Sequence, residues 1–313
     1  MGTNATVVVT GATGLIGVPL VKRLRADGYA VVALTRDVAR AARVLGPEVR
    51  CVEAGLEADG PWTAELGGAH AVVHLAGESI AGARWTTMYK QRIRDSRVES
   101  TATIVRAIAA LPADHRPRVL VTASGIDLYP LADPEVGFED DEIDESNPPG
   151  DSFLGRVCAL WEAEALEAEE VGVRVVRMRT GVVLAREGGA VAKLRGVFAK
   201  FVGGRLGSGK QWFSWIHLDD AVAAYAQAVA DDRFRGAINL VAPETVRQRD
   251  FARAFGRAVG RPALVPTPTL ALRLAVPGLW EYLVGGRRAV PAALQRLGFT
   301  FTRPTLADAL RDL

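Results

Sequence analysis

The segment Gly11-Ala12-Thr13-Gly14-Leu15-Ile16-Gly17 constrains this chain more than any other, because it joins the apolar run Thr6–Thr10 to an amphipathic stretch that continues through Val21, Leu24 and Ala26. Glycines at such a junction let the backbone turn sharply and approach a ligand closely. The helix that opens after them presents unpaired N–H groups and the positive end of its dipole. That combination suits the pyrophosphate of a dinucleotide, and it is also the form of a tight strand-to-helix turn that binds nothing. The spacing is Gly-x-x-Gly-x-x-Gly, not the Gly-x-Gly-x-x-Gly of the dinucleotide fingerprint, so the order strand, turn, helix carries the reading.

The same rhythm continues along the chain. Short Val-rich runs recur at Ala30–Thr35, Val49–Val52, Ala71–Leu75, Arg118–Thr122 and Val173–Met178, separated by helical patterns. Continuous apolar strands spaced by helices predict a parallel sheet covered on both faces. Thr86 to Leu111 predicts a long helix with Ile93, Val98, Ile104, Val105 and Ile108 inward and an arginine-rich polar face. Asp151 or Ser152 can cap a second long helix reaching about Glu170, which Gly172 ends. After Gly181 the rhythm breaks into glycine-rich stretches, a short Trp215-Ile216-His217 strand, a helix capped near Asp219 and a strand at Ala237–Val241. The expected fold is α/β, a Rossmann-type doubly wound parallel sheet with a smaller, mostly helical C-terminal lobe. Residues 1–181, returning at about 215–242, form the cofactor half, and residues 182–214 and 243–313 form the lobe on the substrate side. At 313 residues the chain exceeds the roughly 250–300 at which single cores stop growing, which agrees with two lobes.

Composition narrows the partners. Lys+Arg 38 stand against Asp+Glu 36, so no electrostatic footprint for nucleic acid or an anionic membrane is present. Cys51 and Cys158 sit in apolar contexts, which argues against a disulfide framework and for a reducing, cytoplasmic compartment. The start, Met1 to Thr6, has no basic or long apolar region of a signal peptide, and its match to the loose myristoylation pattern lies at the edge of a strand. Leu264 to Val284 is apolar but broken by Pro266, Pro268, Arg273, Pro277 and Glu281, well short of the roughly 20 residues a membrane span requires; it predicts helices of the small lobe.

Thr35-Arg36 stands about twenty residues past the glycines, where an acidic residue would accept the ribose hydroxyls of NAD. An arginine there suits a 2′-phosphate, so NADP(H) is the expected cofactor. The alternative is a solvated surface arginine. Arg40 either assists or is merely exposed.

Taken together, the glycine segment, Leu75-Ala76-Gly77-Glu78, Arg84-Trp85 through Lys90 to Asp95-Ser96-Arg97-Val98, Trp161-Glu162, Arg179 to Leu184 and Ser214-Trp215-Ile216-His217 resemble one family. It is that of the atypical extended short-chain dehydrogenases/reductases, nucleoside-diphosphate-sugar epimerase-like (NAD(P)-dependent epimerase/dehydratase). The likeness runs on through Asn239 to Pro243, Arg261-Pro262 and Leu297-Gly298-Phe299 and so covers nearly the whole chain. What it implies is NADP(H) held by Gly11, Thr13, Gly14, Leu15, Ile16 and Gly17, by Thr35 and Arg36, by Leu75 and Ala76, by Arg97 and by Val183. Arg97 also admits a bland reading as a surface arginine paired with Glu99 or Asp95. Extended members pair through two long helices, here Thr86–Leu111 and Ser152–Glu170, so a homodimer is implied.

Active members of the wider superfamily use Tyr-x-x-x-Lys on one helix face, the lysine lowering the tyrosine pKa for proton exchange with substrate. Here the two places are Leu154 and Cys158, or Phe153 and Val157 in the adjacent register, and neither pair transfers a proton. Ser124, at the end of the fifth strand, and Tyr129, in the loop after it, are the substitute catalytic candidates. Tyr129 also fits a loop tyrosine packing its ring. Lys90, Glu78 and His217 are further candidates, although His217 fits a satisfied strand-end histidine and Asp219 a helix cap. The chain is therefore expected to be an NADP(H)-dependent oxidoreductase or epimerase acting on a small polar substrate. The alternative is a catalytically degenerate NADP(H)-binding sensor or scaffold.

Three further patterns bear on ligands. A nucleotide-sugar diphosphate would need a clamp, for which Arg195, Lys200, Arg205 and Lys210 are available. Gly204 to Lys210 approaches a phosphate-binding Walker motif, but Gln211 replaces the metal-binding Ser or Thr and no buried strand precedes it. The acidic run Glu139 to Glu145 reads as a solvated loop, with a lid or cation site as the alternative. No metal is expected.

Overall fold

The computed structural model describes residues 5–56, 58–132 and 140–311. The first half alternates β1 (Thr6–Thr10), α1 (Gly17–Ala26), β2 (Ala30–Thr35), α2 (Val38–Leu45), β3 (Arg50–Glu53), β4 (Ala71–His74), α3 (Thr87–Ala109), β5 (Val119–Gly125), α4 (Phe153–Leu166) and β6 (Arg174–Thr180). There follow β7 (Val182–Leu184), α5 (Gly189–Ala199), β8 (Trp212–Phe213), β9 (Trp215–His217), α6 (Leu218–Ala230), β10 (Gly236–Leu240) and β11 (Val246–Arg247). The chain closes with α7 (Gln248–Ala258), α8 (Thr269–Ala275), α9 (Trp280–Val284), α10 (Ala292–Arg296) and α11 (Leu306–Leu310).

Seven parallel strands form one sheet in the order β10-β6-β5-β4-β1-β2-β3, the doubly wound arrangement expected. Alternation along each strand feeds two cores. Val7, Val9, Ala71, Val73, Val119 and Val121 face α1 and α6, whereas Val8, Val72 and Leu120 face the side covered by Trp62, Leu66, Ile104, Ile108 and Ala165. Val7, Val8 and Val9 are fully buried; each such side chain contributes about 1.5–3 kcal/mol.

Local chemistry explains the helix limits. Thr86 accepts a hydrogen bond from the Tyr89 amide and caps α3, and Ser152 accepts one from the Gly155 amide and caps α4. The five apolar residues expected inward on α3 are all buried. α4 stops at Leu166, short of the expected Glu170; a separate 3₁₀ turn, Glu169–Val171, precedes Gly172 at φ +82°. The cap of α6 is His217, whose Nδ1 accepts from the Asp219 amide, so Asp219 lies in the first turn instead.

A third core packs Phe198, Phe213, Phe251 and Phe255 together with Leu306 and Leu310. Outside the main sheet, short strands pair as β7 with β9 and β8 with β11. The Walker-like loop is spent on the fold: the Gly207 amide donates to Thr267 O at 2.9 Å and the Gly209 amide to Leu206 O at 3.0 Å. Residues 264–284 supply the short helices α8 and α9. Of the acidic run, Glu139 lies outside the described residues, as do Met1 to Asn4 of the myristoylation pattern. Glu145 turns inward and accepts from the amides of Asn239 and Ala293 at 2.9 and 3.0 Å, while Asp140 and Glu142 pair with Arg247 and Arg288. Cys51 and Cys158 are free thiols. Among the described residues no helix is long and apolar enough to cross a membrane, and no group of three His, Cys, Asp or Glu is placed to hold a metal ion.

Candidate functional site

The glycine segment forms a closely packed turn between β1 and α1. Gly11 has φ +64°, and a Cβ there would lie 2.7 Å from the carbonyl carbon of Leu75. At Gly17 a Cβ would lie 2.3 Å from Gly11 O. The Gly14 amide donates to Gly11 O at 2.9 Å, closing the turn. α1 then starts without a side-chain cap and without an acidic residue in its first turn, which leaves its positive end open to an anion. Leu15 packs against Gly188 and Gly189 at the start of α5, where a Cβ would come within 3.1 and 2.8 Å of its methyl groups.

A buried network sets the height of the Leu75-Ala76 loop over this turn. Thr10 Oγ1 donates to His74 Nδ1 at 2.7 Å and accepts from the amides of Leu75 and Ala76, each at 3.2 Å. Ser100 on α3 spends its proton on Ser96 O at 2.8 Å, so it accepts from His74 Nε2 at 3.1 Å. That assignment puts the ring proton on Nε2. Burial, with the Arg97 charge adding, pushes the His74 pKa down to about 3. His74 is thus a neutral crosslink between strand ends and α3, and the sequence reading passed over it.

Arg36 follows β2 exposed, and neither it nor Arg40 has an ion pair among the described residues. Thr35 meanwhile folds back to accept from the Asp37 amide, and Asp37 caps α2. Arg97 does not pair with Asp95 or Glu99, which belong to Arg94. Its guanidinium donates to Ile93 O at 3.0 Å, lies 5.4 Å from the Trp161 ring centroid and roofs Gly77, where a Cβ would meet its Cζ at 3.3 Å. Burial lowers its pKa, against the carboxylates of Asp127 and Glu78 and the Cys158 thiol. A half-buried cation with so few partners is costly unless an anion or polar ligand joins it. Val183 stands in β7 opposite Ile216.

On α4, Leu154 is buried and Cys158 lies under β5, its thiol pushed up to about 12 by burial and by the charges of Asp127 and Glu162. Ser124 Oγ donates to Glu162 Oε1 at 2.7 Å. Glu162 is itself gripped by Arg179 through both oxygens, each at 2.9 Å, and by Arg177 at 2.8 Å. Tyr129 is fully buried; it donates to Asn239 Oδ1 at 2.6 Å and accepts from Arg179 at 2.8 Å, with its pKa pushed up to about 12 by burial. The two sequence candidates for catalysis therefore belong to one interior network and are not open to a ligand.

More open groups lie beside them. Asp127, in the turn after β5, has a side chain 28% exposed and accepts from Arg287 at 2.9 Å. Arg287, which carries no signal in the sequence, also donates to Tyr129 O at 2.9 Å and keeps one buried terminal nitrogen with no partner among the described residues. Glu78 accepts from Arg92 at 2.8 Å, and Lys90 lies 5.2 and 5.7 Å from the ring centroids of Phe153 and Trp85. His217 is buried and spent on its cap.

Residues 7–240 match the NAD dependent epimerase/dehydratase family, and residues 267–313 match a domain of unknown function, DUF1731. An SDR39U1 homolog of the epimerase family from Arabidopsis thaliana, labelled chloroplastic, is 39% identical over 308 residues, 98% of this chain and 86% of that one. The epimerase family protein Mb2239 of Mycobacterium bovis is 37% identical over 308 residues, 98% of this chain and 97% of that one. The crystal structure of the human epimerase family protein SDR39U1 (isoform 2) with NADPH has a TM-score of 0.85 at 30% identity, covering 98% of each chain. A nucleoside-diphosphate sugar epimerase from Corynebacterium glutamicum has a TM-score of 0.77 at 30% identity, covering 99% of this chain and 58% of that one.

Proposed function

The chain belongs to the NAD dependent epimerase/dehydratase family, and from that premise we propose that it binds NADP(H) and acts as an oxidoreductase or epimerase on a small polar substrate lodged between its two lobes. Residues 1–181, with the return at about 215–242, form the cofactor half in this reading. When bound, the nicotinamide supplies hydride exchange. Gly11, Thr13, Gly14, Leu15, Ile16 and Gly17 bring the backbone and the start of α1 to the pyrophosphate. Leu75, Ala76 and Val183 wall the ring side, Arg97 faces it across Gly77, and Thr35 and Arg36 meet the adenosine end. NADPH in the human relative supports the choice.

The observation that carries the reading is Arg36, an exposed cation with no carboxylate partner among the described residues, just past the end of β2, the strand paired with β1. Arg36→Glu removes a charge-assisted contact of about 1.5–3 kcal/mol, so NADPH affinity falls about tenfold to a hundredfold. NADH affinity changes much less. Equal losses for both cofactors would refute the assignment of Arg36 to the 2′-phosphate.

A second reading, a cofactor-binding sensor without turnover, is favoured by the buried Leu154 and Cys158 and by the interior commitments of Ser124 and Tyr129. One productive substrate in a carbonyl panel ends it. The free cysteines support residence in a reducing compartment such as the cytoplasm, and a homodimer through α3 and α4 completes the proposal.

A further inference from the structure

The helix that would carry a reactive phenol in such a site has Leu154, or Phe153 in the adjacent register, in that place, yet a phenol reaches its first turn from another part of the chain. Tyr282, in α9, accepts a hydrogen bond from the Leu154 amide at 2.9 Å. Its ring lies 5.6 Å from that of Trp85, and Trp85 packs on Phe153 at 5.4 Å. Gly278 lets α9 settle there: its φ is +81°, and a Cβ would come within 3.0 Å of the Trp85 ring. The phenol is half-buried, so it is held and still reachable. Burial, with the Asp127 charge adding, pushes its pKa up, against the Leu154 amide, a hydrogen bond with Ser152 and the Arg287 charge, and Arg287 has a buried terminal nitrogen with no partner among the described residues.

We propose that Tyr282, carried by the C-terminal segment of residues 267–313, exchanges the proton with the substrate in place of the absent helix tyrosine; this rests on the NADP(H)-dependent reading above. The epimerase match ends at residue 240, and the segment carrying Tyr282 and Arg287 matches separately. That division fits a reactive group supplied from outside the Rossmann half. In reduction, a hydride from the reduced nicotinamide adds to a substrate carbonyl carbon and the C=O π pair moves to oxygen. That oxygen takes the phenolic proton of Tyr282, and the O–H electron pair stays on the phenolate. The Leu154 amide, the start of α4 and Arg287 stabilise the phenolate until it regains a proton from solvent. Oxidation of a hydroxyl runs the same transfers in reverse. The substrate class is a small carbonyl or hydroxyl compound whose oxygen enters between α9 and the first turn of α4.

The test reads the phenol directly in the full-length protein. NADPH binding is first established by cofactor fluorescence, and ultraviolet phenolate absorbance is then followed against pH with NADP⁺, with NADPH and with neither. A nicotinamide cation beside Tyr282 lowers its titration midpoint by about one to two pH units relative to NADPH. Of the five tyrosines, Tyr129 and Tyr225 are fully buried and Tyr29 stands before β2, which leaves Tyr282 and Tyr89 to be told apart. Tyr282→Phe, which keeps the ring on Trp85, abolishes the cofactor-dependent step and leaves NADPH affinity unchanged. Tyr89→Phe retains the step, and that result carries the assignment should Tyr282→Phe fold poorly. A midpoint indifferent to the oxidation state of the bound cofactor, or a step lost in Tyr89→Phe instead, overturns the proposal. Failure of NADPH to bind at all overturns the cofactor reading along with it.

Discussion

His74 allows a stability prediction whose size follows from its surroundings. Its pKa lies near 3 in the native protein because the ring is fully buried with Arg97 nearby, whereas a histidine in the unfolded chain titrates near 6.5. Above about pH 6.5 both states are neutral at this position and nothing is lost. As pH falls through that value the unfolded chain takes a proton that the native ring refuses, and stability declines until about pH 3. By linkage the loss at about pH 5 is about 2 kcal/mol relative to about pH 7.5, and it depends little on the native value so long as that stays below about 4. Urea unfolding of the wild type and of His74→Asn at the two pH values isolates this contribution, because every other titrating group is common to both. The amide can still accept from Thr10, and losing the bond to Ser100 costs about 1 kcal/mol at either pH. Wild type is expected to lose about 2 kcal/mol more than the variant on acidification. Parallel losses would mean that the native ring is protonated or hydrated, and would refute the neutral crosslink.

Gly17→Ala places a methyl group 2.3 Å from Gly11 O, so it should cost about 1–3 kcal/mol in thermal unfolding and weaken NADPH binding more than tenfold. Gly172→Ala meets open space but keeps φ +82°; about 1–2 kcal/mol of strain with unchanged cofactor binding is expected, measured by the same two assays. Glu162→Gln strips the counter-charge from Arg179 and Arg177 and should cost about 3–5 kcal/mol in chemical unfolding. Ser124→Ala removes one hydrogen bond from the same carboxylate, costs about 1 kcal/mol, and leaves turnover unaffected once a substrate is found.

The parts of this molecule legible in the sequence are those set by neighbours along the chain. The order strand, glycine turn, helix at residues 6–26, the start of α3 at Thr86, the Ser152 cap and the buried stripe of α3 are local, and each lies within a few residues of its expected place. The interior network was hidden because its members meet across long separations. Tyr129 and Asn239 are 110 residues apart, and Arg287 meets Asp127 over 160. His74 looked like the end of an apolar run, since its partners Thr10 and Ser100 are 64 and 26 residues away. The α6 cap was assigned to Asp219 on residue type, but the extended backbone at His217, φ −75° and ψ 147°, gives that role to the imidazole. Tyr282 carried no local signal, because its position depends on the fit of Gly278 against Trp85.

The place of β10 at the sheet edge bears on how the chain is made. β6 ends at Thr180 and its outer partner β10 begins only at Gly236. For the several seconds in which a ribosome adds the intervening residues, β6 is an open edge of an otherwise finished sheet. Bare edges recruit foreign strands, and charges along them discourage it. Arg174, Arg177 and Arg179 lie on β6, and in the finished protein Arg174 donates to Phe234 O at 2.6 Å beside the incoming strand. Cations in these places are expected to guard the nascent six-stranded sheet as well as to anchor the finished interior, and their replacement by apolar residues would show first as aggregation during synthesis.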